Sequence, residues 1–429
     1  MTSMNDRTTQ TGPRLPKIAY VTGQYPAVSL TFILREIEAL RALGAEVETC
    51  SIRRTPADQH RGPAEKAAAA STFYVLSQAK NPLTLLRAQK WLFTAPGRYV
   101  RALGLALRTR GPGLISLAYQ LIYFLEATVL ARHLTERGVE HIHNHFVTGS
   151  ATVTMLVSEL TGIPYSFMLH GPADLFEPYR WRIDEKVARA RFVATISNFA
   201  RSQIMFFSSP EHWDKLRIIH CGVMPENYGQ QDQAAIPPRR PDETRLLFVG
   251  RLAPVKGLRV LLEAMAPLVE EFPSLRLVLV GDGPDRAALE KAAAPLGDKV
   301  TFTGYLSQAE VAQAMQSTDV FVLPSFAEGV PVVLMEAQAT GKPVIATQVA
   351  GVGELVEHGV NGLIVPPGDV ERLREAIRTL LHDPDLRARM GAEGPARVAA
   401  DFDISIEAAR LARLIAHGPA GPVRPDPLD

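Results

Sequence analysis

Two doubly wound α/β domains in series are what this sequence predicts, and three observations predict it. A strand, glycine, helix, strand order occupies 17–52. The same order restarts at 245 after a polar, proline-rich stretch. The strand-like runs are continuously apolar rather than alternating, as in parallel sheets covered on both faces. At 429 residues the chain is also too long for one ordinary core. The expected fold class is therefore α/β, with two Rossmann-like domains facing across a cleft.

After a lead at 1–15, expected to be disordered, "KIAYVTG" (17–23) reads as a buried strand ending in Gly23. "LTFILREIEALRALG" (30–44) is an amphipathic helix closed by Gly44, and "VETCSI" (47–52) is the second strand. "HIHNHF" (141–146), "YSFMLH" (165–170), "FVATIS" (192–197) and "LRIIHCGV" (216–223) supply further strands of a first domain at 16–228. "GQQDQAAIPPRRPDET" (229–244) reads as a linker. The second domain, 245–400, repeats the pattern with "RLLFVGRL", the helix around "GLRVLLEAMAPLVEEF", then "LRLVLVG", "VTFTGYL", "VFVLPS", "PVIAT" and "GLIVP". An amphipathic helix at 401–417 and a disordered tail at 418–429 complete the expectation.

A net charge of +1 provides no global basic field, so nucleic acid is not an expected partner. Only Cys50 and Cys221 occur, far apart, which argues against a disulfide framework. The stretch 1–17 lacks the apolar core of a secretory signal, and no run of about 18 apolar residues suggests a transmembrane helix. A cytoplasmic protein is the expectation. The segment 66–123 carries eight basic residues and no acidic one, with Trp91, Phe93 and Tyr99 interleaved. Two readings stand side by side: an interfacial helix that meets anionic membrane, or a helical pair packed on the first domain with a solvated basic face.

The chemistry concentrates in "FAEGVPVVLMEAQATGKPVIAT" (326–347). Glu328 lies in a glycine-containing loop, Pro331 at the expected first helical position, and Glu336 five residues on. A helix N-terminus favours an anion, so two carboxylates around one need a reason. Ionised carboxylates accept hydrogen bonds only, and each can hold a pair of vicinal hydroxyls. In "LLFVGRLAPVKGLRVLLEA", Arg251 leaves a strand end and Lys256 with Gly257 precedes a helix, a cationic pair suited to a diphosphate. Together they match a nucleoside diphosphate sugar, with hydroxyls at both ends and phosphates between. The bland alternatives are a first-turn charge, a solvated helix residue and loop cations in water. "HIHNH" offers alternate histidines on a strand without a matching acidic or cysteine cluster, a weak metal signal. "LVGDGP" lacks the spacing of a dinucleotide fingerprint, which disfavours hydride transfer.

"FAEGVPVVLMEA" contains E-x7-E, and with "GRLAPVKG", "LVGDGP" and "VAGVGELVEHGVNGLIVPPGD" in this order the chain resembles the retaining glycosyltransferases of family 4, which share the two-domain GT-B fold. Its first half, with "SLTFILREIEAL" and "HGPADLF", is similar to the branch that builds bacterial exopolysaccharides such as colanic acid. The resemblance implies transfer of a hexose from a nucleotide sugar, UDP- or GDP-linked, to a saccharide acceptor carried on lipid. No metal or other cofactor is expected. It further implies that Glu336 holds the ribose, that Glu328 with the amides of Gly329 and Val330 contacts the transferred sugar, and that Arg251 and Lys256 meet the diphosphate. His170 would reach the sugar near the reacting carbon, Gly23 would allow close backbone approach, and Gly304, Tyr305 and Leu306 would flank the base. Three departures fall in the first domain: Leu30 where the branch carries an acidic residue, Asp174 four residues after His170 rather than three, and Met224 where an Asp often follows "C-G-V". The competing functions are a nucleotide-sugar epimerase of the same fold and a non-catalytic sugar-nucleotide or membrane-docking module.

Overall fold

The computed structural model of the chain describes residues 14–27, 30–60, 62–228 and 239–428. The lead through 13 and linker residues 229–238 lie outside them. Seven strands make the first sheet: β1 (Ile18–Gln24), β2 (Val47–Arg53), β3 (Phe73–Tyr74), β4 (His141–His145), β5 (Tyr165–Leu169), β6 (Phe192–Thr195) and β7 (Leu216–Ile218). Six make the second: β8 (Thr244–Val249), β9 (Leu275–Val280), β10 (Val300–Gly304), β11 (Val320–Leu323), β12 (Val344–Thr347) and β13 (Gly362–Val365). All pairings are parallel, in the orders β3-β2-β1-β4-β5-β6-β7 and β10-β9-β8-β11-β12-β13. The order reverses at β1 and at β8, and ligands of open α/β sheets gather beyond the carboxyl ends of such switch points. The central strands are buried throughout, matching their unbroken apolar runs. Edge strand β3 was not anticipated, because two residues show no period.

The basic segment folds as short helices that start at prolines: Pro63–Ser71, Pro82–Ala88 and Pro96–Arg108, with Pro in a position where its missing N–H costs nothing. Helix Leu114–Glu136 follows and is long and apolar enough to span a membrane by composition. Its second half is instead packed in the first domain through Phe124, Ala127, Leu130 and Leu134. Of the three interleaved aromatics, Trp91 and Tyr99 pack inward and Phe93 is 82% exposed.

Two expectations are corrected. Helix Val332–Ala339 starts one residue after Pro331, whose ψ of 120° is extended while its carbonyl accepts from Leu334 N at 3.0 Å, so the proline caps the helix rather than begins it. Residues 418–428 are not a disordered tail. Ile218 N donates to the Val423 carbonyl (2.8 Å), Leu428 N to that of Ala409 (3.1 Å), and Arg424 reaches Asp401 (2.5 Å) and Glu407 (3.0 Å). Composition alone missed them because the segment is held by charge and backbone bonds more than by apolar area.

The chain also returns. After helix Pro384–Asp401 of the second domain, Val223 N donates to Phe402 O and Ile404 N to Val223 O, both at 2.9 Å. Gly222 permits this crossing, since a Cβ there would lie 2.6 Å from Ile404 Cα. Helix Ile404–His417 then packs on Thr31–Ala42 of the first domain. Arg424→Ala should lower stability by roughly 1–3 kcal/mol, because Glu407 is only 1% exposed and loses a charge-assisted bond. A denaturant midpoint indistinguishable from wild type would show that this anchor contributes nothing.

Candidate active site in the crevice between the domains

On the second domain, two loops at the carboxyl edge are laced together. Phe326 N donates to the Val255 carbonyl at 2.8 Å, and Gly257, at φ +64°, lies so close that a Cβ would be 2.0 Å from the Pro324 carbonyl. This brings Lys256 Nζ to 2.6 Å from Glu328 Oε1, with both side chains largely shielded. The "GDG" turn packs similarly on 250–252: a Cβ on Gly283 would meet the Leu252 carbonyl at 2.3 Å.

The first domain meets this pair directly. A Cβ on Gly329 would sit 2.0 Å from the His170 carbonyl oxygen, and one on Gly171 would be 3.5 Å from Gly329 N. Gly351 N donates to the Gly329 carbonyl at 3.1 Å and Val330 is buried beneath. Thus His170, Glu328, Gly329, Val330 and Lys256 converge. Glu336 takes another position, paired with Arg35 of the first domain at 2.8 Å, both side chains about one-tenth exposed. Arg251 is exposed beyond β8, Gly23 is the penultimate residue of β1 with open space above its Cα, and Gly304 ends β10 at the sheet edge, with Tyr305 and Leu306 following it.

Behind His170 lies a buried polar chain. Tyr20 Oη donates to Glu36 Oε1 (2.6 Å), His145 Nε2 is 3.2 Å from that oxygen, His145 Nδ1 is 2.8 Å from His170 Nε2, and His170 Nδ1 is 3.6 Å from Cys221 Sγ. Burial raises the Glu36 carboxyl, but His145, His143 and the Tyr20 hydroxyl outweigh it and hold the group below its usual range. Burial pushes His143 down to about 3 and His170 well below the ordinary imidazole range, with the neighbouring histidines adding to it. Asp174 binds the His170 and Val147 amides at 3.2 and 3.3 Å, so the stretched "HGPAD" spacing still delivers a carboxylate to the histidine's backbone. Burial lifts Asp174 to about 6 and lowers Lys186, which caps the Val147 carbonyl, to about 7.

The reading of "HIHNH" as lacking an acidic companion is corrected. The donor groups of Glu36, His143 and His145 lie within 4.8 Å of one another, because Glu36 falls on the buried face of its helix with Ile33, Ile37 and Leu40. A charge within an apolar i, i+3, i+4, i+7 stripe was the available signal. Arg35 was missed as well, and so was Glu354, which accepts from Asn198 N (2.7 Å) and Phe199 N (2.8 Å) at a helix N-terminus of the other domain.

Two facing parallel-sheet domains with a carboxylate, cation and glycine-lined crevice define the GT-B architecture of sugar-transferring enzymes. The profile "Glycosyl transferases group 1" matches residues 229–397 and "Glycosyltransferase Family 4" matches 31–227. The D-inositol 3-phosphate glycosyltransferase of Thermobispora bispora is 31% identical over 86% of this chain and 94% of its own length. The amylovoran biosynthesis glycosyltransferase AmsK of Erwinia amylovora is 26% identical over 93% of this chain and 99% of its own. Among solved structures, Anabaena HepE in complex with UDP superposes with a TM-score of 0.69 at 19% identity, covering 93% of this chain and 99% of that one. The chain belongs to glycosyltransferase family 4.

Folded His143 strongly disfavours its proton, while the unfolded residue binds one from about pH 6.5 downward. Its contribution to stability is therefore fully present above that value and is lost as pH falls toward 3. Stability against pH, measured by urea unfolding, should fall less steeply over this window in His143→Gln than in wild type. Identical slopes would contradict the assignment.

Proposed function

We propose that the chain is a retaining hexosyltransferase that moves a sugar from a nucleoside diphosphate donor to a lipid-linked saccharide in exopolysaccharide or cell-surface polysaccharide synthesis. The Lys256–Glu328 pair facing the His170–Gly171 turn across the crevice carries the reading. Glu328 and Lys256 neutralise each other here, and Glu336 is neutralised by Arg35. A donor would exchange these partners: its phosphates take Lys256 and Arg251, its hydroxyls take Glu328 and Glu336. The backbone amides of Gly329 and Val330 and the helix end behind them add positive potential for the leaving group.

The reaction is a same-face substitution. The bond from the anomeric carbon to the phosphate oxygen breaks, the bond to the acceptor oxygen forms, and the acceptor's proton passes to the departing phosphate. The protein contributes positioning, exclusion of water and charge stabilisation, the last from Arg251 and Lys256 without a resident metal. AmsK, named for amylovoran biosynthesis, and HepE, solved with UDP and with UDP-glucose, support the polysaccharide context and a UDP-sugar as first donor to test.

Glu328→Ala should lower kcat about 100-fold or more, as losses of a group acting in the transition state do. Glu336→Ala should chiefly raise the donor KM. Wild-type turnover in Glu328→Ala, Lys256→Ala and His170→Ala together would overturn the site, and a product formed from donor alone would indicate the epimerase.

The helical segment supports attachment to a membrane surface. Leu86, Phe93, Leu114 and Ile115 are 71–82% exposed. Arg87, Lys90, Arg98 and Arg110 accompany them, a mixture suited to the surface of an anionic bilayer on the cytoplasmic side. Binding to vesicles containing anionic lipid should weaken with added salt and in a Phe93→Glu, Leu114→Glu variant. Equal binding to neutral vesicles would refute the charge component.

A further inference from the structure

The buried chain behind His170 is longer than any role the donor site requires. Glu36, His145 and His170 come from three elements, the helix after β1 and the ends of β4 and β5; Glu36 and His145 approach to an ion-pair distance of 3.2 Å, and His145 and His170 share a hydrogen bond of 2.8 Å. The His145 and His170 rings lie within 16° of coplanar with centroids 4.9 Å apart. About 5 Å is the spacing of two imidazoles joined in plane by one hydrogen bond, so this is an edge-to-edge bond and not a stack. Phe32 and Phe146 wall the His170 ring at 4.7 and 4.9 Å, which prevents it from rotating out.

We propose that Glu36, acting through His145, is a positioning residue that fixes His170 in the tautomer whose Nδ1 lone pair is available to a hydroxyl of the donor sugar. The direction of the chain follows from donor and acceptor counting. An ionised carboxylate only accepts, so His145 Nε2 carries the hydrogen that faces Glu36. If each ring carries one hydrogen, the His145 lone pair is on Nδ1 and His170 Nε2 donates to it. That leaves His170 Nδ1 as an acceptor, with the weakly donating Cys221 thiol 3.6 Å away as its protein neighbour. Tyr20, which also donates to Glu36, keeps that carboxylate from turning away. The same logic orients the imidazole of a carboxylate and histidine pair in acyl transfer, where the wrong tautomer disables an intact geometry. His143 stands outside the line: its Nδ1 is bonded to Ser166 at 2.7 Å.

The inference rests on the reading of His170 as a sugar-contacting residue, and the test separates the two. Glu36→Gln keeps shape but can donate from its amide, so it removes the directional lock. It should lower kcat about 10–100-fold, the range for partners one bond removed from an acting group, with donor Kd by calorimetry and thermal midpoint near wild type. His145→Gln should reproduce the kcat loss, and combining it with Glu36→Gln should add little, because both break one chain. Wild-type kcat in Glu36→Gln while His170→Ala is impaired would overturn the inference alone. Wild-type kcat in His170→Ala would overturn the parent reading. A purified protein carrying stoichiometric zinc that Glu36→Gln loses would also overturn it, since Glu36 and His145 would then be ligands.

Discussion

The approach of two backbones, at His170–Gly171 and at Glu328–Gly329, is the constraint on which the site depends. A Cβ on Gly329 would fall 2.0 Å from a carbonyl oxygen of the opposite domain, a distance no side chain tolerates. Because the loops touch through main chain, the groups they carry are placed by strand ends and not by flexible side chains. Gly257 against Pro324 and Gly283 against Leu252 extend the same device behind the first layer. Glycine here is a requirement of distance and, at Gly257, of a positive φ as well.

Charge is the second organising principle. Glu328 has Lys256, and Glu336 has Arg35, within 3 Å. Shielded charges are costly unless paired, and these two carboxylates each close a circuit with a cation. One circuit lies within a domain and the other crosses between domains. Glu354 on the helix end at Asn198 is a second polar crossing. Ligand exchange at Glu336 thus bears on how the domains hold each other, whereas exchange at Glu328 does not.

The sheet architecture was legible in the sequence because most parallel strands buried on both faces leave apolar runs; β2 and the histidine-rich β4 were placed by their order between helices, and the two-residue β3 escaped. The grouping of Glu328 with Lys256 was legible through E-x7-E and the lysine before Gly257, since each residue sits at a strand-end loop that the sequence pattern marks. What escaped detection was assembled from distant segments. Glu36 meets His145 more than 100 positions away, and Arg35 meets Glu336 across 301. A single chain carries no sign of such meetings beyond a charged residue set in an apolar stripe. Residues 418–428 escaped for another reason: their anchoring depends on Arg424 finding buried Glu407, which composition does not register.

The return of the chain through 402–404 has a bearing on biosynthesis. Helix Thr31–Ala42 leaves the ribosome before the second domain is made, yet the surface it packs against, Ile404–His417, leaves after it. The first domain therefore stays incomplete, with an apolar helix face uncovered, while the entire second domain is made. Order along the chain and order of completion thus differ, and residues 402–417 act as the clasp that closes the first domain.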